Sequence, residues 1–249
     1  CHTRRQRQMC IRDRYDSPLV CKRRPVVVAK DVTTRYQERT HDNTQRIRSH
    51  LQALCDGSPG HVAVFTPSYT MLNDYIGEGH FNGVVVRMED RTWSKHDVDQ
   101  ILDVLDRERK LGRRVLLAGV FGGRLSEGID YHNGLLDAVA CIGIPNPPPS
   151  IHQKALRTYI EDRFGRANAW RYASTQPAIN SILQAMGRPI RSIDDRALIL
   201  LLDKRNTDRT YLECFPKDIR MNTTSQPETT KSFARRFFSR VHRQSEGSS

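Results

Sequence analysis

No stretch of this chain approaches the roughly 18 consecutive apolar residues that a membrane-spanning helix needs, and its N-terminus has no apolar signal-peptide core. Both absences point to a cytoplasmic protein with no membrane partner. The six cysteines, at positions 1, 10, 21, 55, 141 and 214, include no CxxC pair, so spacing draws neither a zinc site nor an iron–sulfur quartet; they read as reduced thiols, several of them core filler. No GxxxxGK[ST] phosphate loop occurs, and no Asp-Glu pair stands where it would bind Mg²⁺ and activate water. A self-contained phosphate-loop nucleotide site is thereby excluded. Internal repeats are absent too. What remains, 249 residues of which 37% are hydrophobic, is enough for one sizeable domain or two small ones with a real core.

The net charge of +12 looks like a nucleic-acid footprint until it is located. Residues 1–24 hold eight Lys and Arg against two acids, and residues 217–249 hold seven against three, which leaves 25 against 23 for residues 25–216. The body is therefore nearly neutral and the excess sits at the ends, where it suits either phosphate backbone or a solvated tail. Residues 1–14 have no hydrophobic period, and Met9-Cys10-Ile11-Arg12-Asp13 is what one frame of a common transposon-end sequencing adapter encodes. They are expected to be foreign, in which case the chain begins mid-protein; the competing reading is a genuine basic arm. At the other end, the polar stretch Asn222 to Lys231 and the basic piece Phe233 to His242 are expected as a tail, residues 222–249. Its Phe233, Phe237 and Phe238 either pack on the domain or lie on a membrane or DNA.

Between these ends the chain is regular. Short apolar runs at Val26–Ala29, His61–Phe65, Gly83–Val86, Val115–Ala118, Ala138–Ile142 and Ala197–Leu202 read as buried strands. Amphipathic stretches alternate with them, near 44–54, after Tyr69, from the capping-box-like Ser94-Lys95-His96-Asp97 to Gly112, and over roughly 151–164 and 175–188. Alternation of this kind predicts an α/β fold, a parallel sheet with helices on both faces, over residues 15–221. Ligands in such folds sit at the carboxyl ends of strands, which directs attention to the loops after Phe65, Val120 and Ile142.

Two stretches there carry chemistry. In Phe121-Gly122-Gly123-Arg124-Leu125-Ser126-Glu127-Gly128-Ile129-Asp130, the adjacent glycines permit positive φ and close approach, exposing amide donors as an anion nest. Glu127 and Asp130 suit a ribose hydroxyl or a neighbouring arginine better than general acid chemistry; the plain alternative is a tight turn. In Gln184-Ala185-Met186-Gly187-Arg188-Pro189-Ile190-Arg191-Ser192, helical pitch places Gln184, Arg188 and Arg191 on one side and Ile179, Ile182, Leu183, Met186 and Ile190 on the other. Guanidinium forks a turn apart match phosphate oxygens, although a solvated arginine face has the same pattern.

The motifs VAVFTPSYTML at 62–72, GGRLSEGID at 122–130, IGIPNPPP at 142–149 and QAMGRPIRSIDDRALILLLDKR at 184–205 resemble motifs IV, V and VI of the XPD family. These are the iron–sulfur superfamily-2 DNA helicases that also include DinG, and the likeness is closest to the archaeal proteins. VVVAKDVTTRYQER at 26–39 resembles the entry into the same domain. The resemblance implies the second RecA-like motor domain of an ATP-driven helicase that unwinds DNA 5′ to 3′ in nucleotide excision repair, acting as a monomer on single-stranded DNA at a fork. It implies that Arg188 and Arg191 are arginine fingers for the γ-phosphate of ATP with Mg²⁺, held mainly by a first motor domain outside this sequence, and that Gln184 and Gly187 share the nucleotide face. Glu127, Gly128 and Asp130 are then nucleotide-coupling residues. Gly122, Gly123, Arg124 and Ser126 lie nearer the DNA backbone, and Ser68 and Tyr69 touch single-stranded DNA; a buried ring is the alternative for Tyr69.

The departures are as informative. The phosphate loop, the Asp-Glu pair and the four cysteines of the 4Fe-4S cluster all belong to the family's other domain, so no metal site is expected here and this chain alone is expected not to hydrolyse ATP. Pro189, lacking a donor, is expected to kink or end the helix between the two arginines. The other function that fits is a stand-alone RecA-like module that binds nucleic acid without ATPase activity.

Overall fold

The computed structural model describes residues 24–127, 129–131, 134–190 and 195–246. Four consecutive buried residues form β1 (Val26–Ala29), and Thr40 caps α1 (His41–Gly57) by accepting the Asn43 amide. β2 (Val62–Thr66) leads to α2 (Tyr69–Leu72), capped by Ser68 and prolonged by a π turn, Asn73–Gly77. β3 (Val85–Met88) precedes α3 (Lys95–Lys110), whose start is a complete capping box: Ser94 accepts from the Asp97 amide and Asp97 from the Ser94 amide. β4 (Val115–Val120) and β5 (Ala138–Ile142) follow. Next come α4 (Ile151–Phe164), α5 (Arg166–Trp170), a π turn at Arg171–Thr175, and α6 (Gln176–Met186). β6 (Leu198–Leu202), α7 (Arg209–Leu212), β7 (Met221–Thr224) and α8 (Pro227–Glu246) complete the order.

The seven strands form one sheet in the order β3-β4-β2-β5-β6-β1-β7, with every pair parallel. Successive side chains leave a strand on opposite faces, and two cores result. Val26, Val28, Phe65, Leu117, Cys141 and Leu201 pack on α3 and α6, whereas Val27, Val64, Leu116, Ala140 and Leu200 pack on α1, α2 and α8. Burial of both faces is why the inner strands read as unbroken apolar runs instead of alternating ones. The α/β, RecA-like architecture expected from the sequence is the one found.

Three elements differ from expectation. β3 is an edge strand, only partly buried, and it sits two residues later than the run Gly83–Val86 suggested. β7 is the opposite edge; its Met-Asn-Thr-Thr sequence has no apolar run because one side of it has no neighbouring strand. The stretch from Asn222, which composition sets apart as a tail, is therefore built into the domain. Phe238 is buried, Phe233 and Phe237 are partly so, and Lys231 pairs with Asp56 of α1 at 2.7 Å. Third, α6 ends at Met186, with Gly187 as its cap and residues 187–189 in a turn. Arg188 is thus not on a helical face continuous with Gln184, because the pyrrolidine of Pro189 cannot continue the ladder. The adapter-like residues 1–14 lie outside the described residues.

Candidate nucleotide and nucleic-acid edge

β2 and β4 are paired, and the Phe121 amide donates to the Thr66 carbonyl, so the loops that leave these strands begin side by side. Ser68 is spent locally: its hydroxyl oxygen accepts the Met71 amide at 3.2 Å as the α2 cap. Tyr69 lies half-buried against the core with one face under the Arg91 guanidinium, 4.8 Å from the ring centroid. Its hydroxyl donates to Glu89 Oε1 at 3.3 Å. Burial, with the Glu89 carboxylate beside it, raises that hydroxyl above the ordinary phenol range, so it stays a donor at neutral pH.

Glu89 is the residue the sequence did not disclose. It directly follows β3, is 4% exposed, and accepts from the Arg124 amide through Oε1 (2.6 Å) and from the Val120 amide through Oε2 (3.2 Å). A Cβ placed on Gly123 would meet both carboxylate oxygens, at 2.6 and 2.7 Å, and one on Gly119 would meet Oε2 at 2.6 Å. Gly122 is different: its φ is +73° and a Cβ would meet nothing, so the backbone turn alone calls for glycine. In this loop the Gly123 amide donates to the Val120 carbonyl, and the Val120 and Arg124 amides on either side already hold an internal carboxylate. Ser126, expected near the DNA backbone, is buried, and its hydroxyl closes the loop by donating to the Gly123 carbonyl at 3.1 Å. Arg124, Glu127 and Asp130 are exposed; Gly128 lies outside the described residues.

The second arginine-bearing stretch reaches this loop. Arg188 donates to the Ile129 carbonyl at 3.3 Å, so the turn after α6 and the loop after β4 are joined through a guanidinium. Gln184 is exposed, Arg188 and Gly187 are half-buried, and Arg191 lies outside the described residues. Gly187 has an ordinary helical φ of −79°, and a Cβ there would sit 3.5 Å from the Gln184 and Leu183 carbonyls. Among the described residues, none stands close enough to require glycine at that position.

The third expected loop, after Ile142, belongs to another cluster. A Cβ on Gly143 would lie 2.5 Å from Thr34 Oγ1. Thr34 donates both its amide (2.8 Å) and its hydroxyl (2.9 Å) to buried Asp203, which also accepts from Thr33 and from the Arg205 fork at 2.7 and 2.9 Å. Burial opposes ionisation of Asp203, but the Arg205 bonds and charge and the backbone donors outweigh it and hold the carboxyl below its usual range. This cluster fastens the carboxyl ends of β1, β5 and β6. Beyond it, α4 and α5 expose Tyr159, Phe164 and Trp170 among basic residues, beside a groove of about 490 Å³ lined by Pro147, Ile151, Lys154, Arg157 and Trp170.

The described cysteines, Cys55, Cys141 and Cys214, are free and buried at separate core positions; burial pushes the Cys55 thiol up to about 12. They do not fit an iron–sulfur cluster, and among the described residues no group of three or more His, Cys, Asp or Glu is placed to hold a metal. No described helix is long and apolar enough to cross a membrane.

The sequence profile of the helicase C-terminal domain matches residues 51–222. The chain is 30% identical over 176 residues to the ATP-dependent DNA helicase chl-1 of Caenorhabditis elegans, covering 68% of this chain and 21% of that protein. To the ATP-dependent DNA helicase XPD of Sulfolobus acidocaldarius it is 29% identical over 181 residues, 72% of this chain and 31% of that one. A solved XPD helicase structure superposes with a TM-score of 0.65 at 26% identity, covering 81% of this chain and 35% of that one. The chain thus spans between a fifth and about a third of the length of these relatives. With the parallel seven-stranded sheet and the joined loops after β4 and α6, the chain belongs to the helicase C-terminal domain family, among the XPD-like superfamily-2 DNA helicases.

Proposed function

We propose that this chain is the second motor domain of an ATP-dependent 5′–3′ DNA helicase, working in nucleotide excision repair as a cytoplasmic monomer. The observation that supports the reading is the bond from Arg188 to the Ile129 carbonyl, because it joins the proposed arginine-finger stretch to the proposed coupling segment of the loop whose earlier residues are proposed to meet DNA. A first motor domain, outside this sequence, supplies the phosphate loop, the Mg²⁺ ligands and the domain with the 4Fe-4S cluster. Bound ATP supplies the phosphoryl transfer whose free energy drives strand separation.

Within this chain, Arg188 and Arg191 place positive charge against negative charge developing on the γ-phosphate, and Gln184 and Gly187 form the surface beside them. Gly128, Glu127 and Asp130 carry a change at that surface toward the loop. Gly122, Gly123 and Arg124, with Ser126 holding their shape, meet the DNA backbone. Ser68 and Tyr69 lie on the same edge, where the Tyr69 ring, backed by Arg91, suits a base.

The test is Arg188→Ala in the complete helicase. ATP turnover falls by roughly 10³-fold, the scale of an arginine finger, while single-stranded DNA affinity stays within about twofold. Unchanged turnover removes the finger assignment.

A further inference from the structure

A buried carboxylate occupies the place where a loop of this kind is expected to receive an anion from outside. Glu89 is 4% exposed, so its charge has lost most of its water and depends on protein donors. Those donors come from two separate segments: the Val120 amide at the end of β4 with the Arg124 amide in the loop after it, and the Tyr69 hydroxyl after β2. Gly119 and Gly123 lack the side chains that would collide with the carboxylate oxygens. Acid, donors and glycines are matched to one another.

We propose that Glu89 is a positioning residue of the DNA-contacting edge, an internal anion that fixes the Gly122–Arg124 loop and the Tyr69 ring in one register. The proposal rests on the DNA-track reading above. A carboxylate held by the Val120 and Arg124 amides keeps an external phosphate from the same donors. Phosphate contact then passes to side chains that point outward, the exposed Arg124 and the Arg91 guanidinium that lies over the Tyr69 ring. The acid contributes order while its charge opposes the ligand. These two effects have opposite signs in an experiment.

Glu89→Gln removes one negative charge beside the phosphate track and is nearly isosteric, so Coulomb's law alone makes oligothymidylate bind more tightly. Positioning gives the reverse. A carboxamide oxygen accepts from one amide, but its NH₂ opposes the other donor, and the loop loosens. The measurement is oligothymidylate affinity of the 249-residue chain over a salt series, together with hydrogen exchange at the Val120 and Arg124 amides. Affinity for E89Q is expected to fall about tenfold at every salt concentration, with exchange at those two amides about tenfold faster and β2 and β5 still protected. Equal or tighter binding by E89Q overturns the proposal. A wild-type chain that does not bind oligothymidylate defeats the DNA-track reading instead; exchange then decides alone, and unchanged Val120 and Arg124 amides in E89Q overturn the positioning role. If E89Q does not fold, Tyr69→Phe removes one donor at the surface end, and the Arg124 amide must exchange at least twofold faster for the proposal to stand.

Discussion

Gly123 and Gly187 differ in what a side chain would meet, and the difference bears on which of them serves the fold. Any side chain at Gly123 runs into the Glu89 carboxylate. At Gly187 the backbone is helical and a Cβ would make only ordinary contacts with the carbonyls behind it. Removing glycine's freedom in the unfolded chain at such a position stabilises by about 0.4–1 kcal/mol. Gly187→Ala is therefore expected to raise the thermal midpoint of this chain slightly and, on the proposed arginine-finger reading, to lower ATP turnover in the complete helicase, because that reading brings a nucleotide beside Gly187 and Arg188. Calorimetry and a turnover assay on the same variant check the pair. Normal turnover in the stabilised protein takes Gly187 off the nucleotide face.

At the scale of elements, what the sequence disclosed depended on burial. β2, β4, β5 and β6 are covered on both faces and stand out as apolar runs; β3 and β7 are edges, partly wet, and their pattern is diluted. The displacement of β3 had a cost at the site. With the strand placed at Gly83–Val86, Glu89 falls in a loop like any other surface acid; with the strand ending at Met88 it stands at the sheet edge and reaches two loops. The end of α6 was legible through Pro189, whereas the joining of its turn to Ile129 was not, since local pattern contains no long-range pairing. The last helix shows the same limit. Its basic face reads as a tail, yet its other face closes on α1: a Cβ on Gly57 would lie 2.5 Å from the Ala234 Cβ and 2.9 Å from the Lys231 carbonyl. Gly57→Ala forces these helices apart and is expected to cost about 1–3 kcal/mol, the usual scale of overpacking. Urea unfolding checks it, and an unchanged midpoint would mean that α8 yields without loss.

For the molecule as a whole, the two ends of the sheet respond to acid in opposite ways. At the amino ends, burial lifts the Asp137 carboxyl above its usual range despite the Arg109 charge and bond, so its share of stability is complete in acid and is lost as pH rises through its folded value. At the carboxyl ends Asp203 is held low. Its share is complete above the ordinary aspartate value, about 4, and is lost as pH falls through its folded value, because the unfolded chain then binds the proton more readily. Asp203 ties the end of β6 to the segment after β1 through Thr33 and Thr34, with Arg205 closing the cluster, so protonating it loosens those strand ends. Asp203→Asn leaves the Arg205 guanidinium, 12% exposed, without its counter-charge, and a loss of about 3–5 kcal/mol at neutral pH is the common result of breaking such a buried pair. The variant also loses the acid-dependent part. Urea midpoints followed from pH 7 down to about pH 2 should therefore converge for wild type and Asp203→Asn below about pH 4; curves that stay parallel through that range would assign the acid response of the fold to other carboxylates.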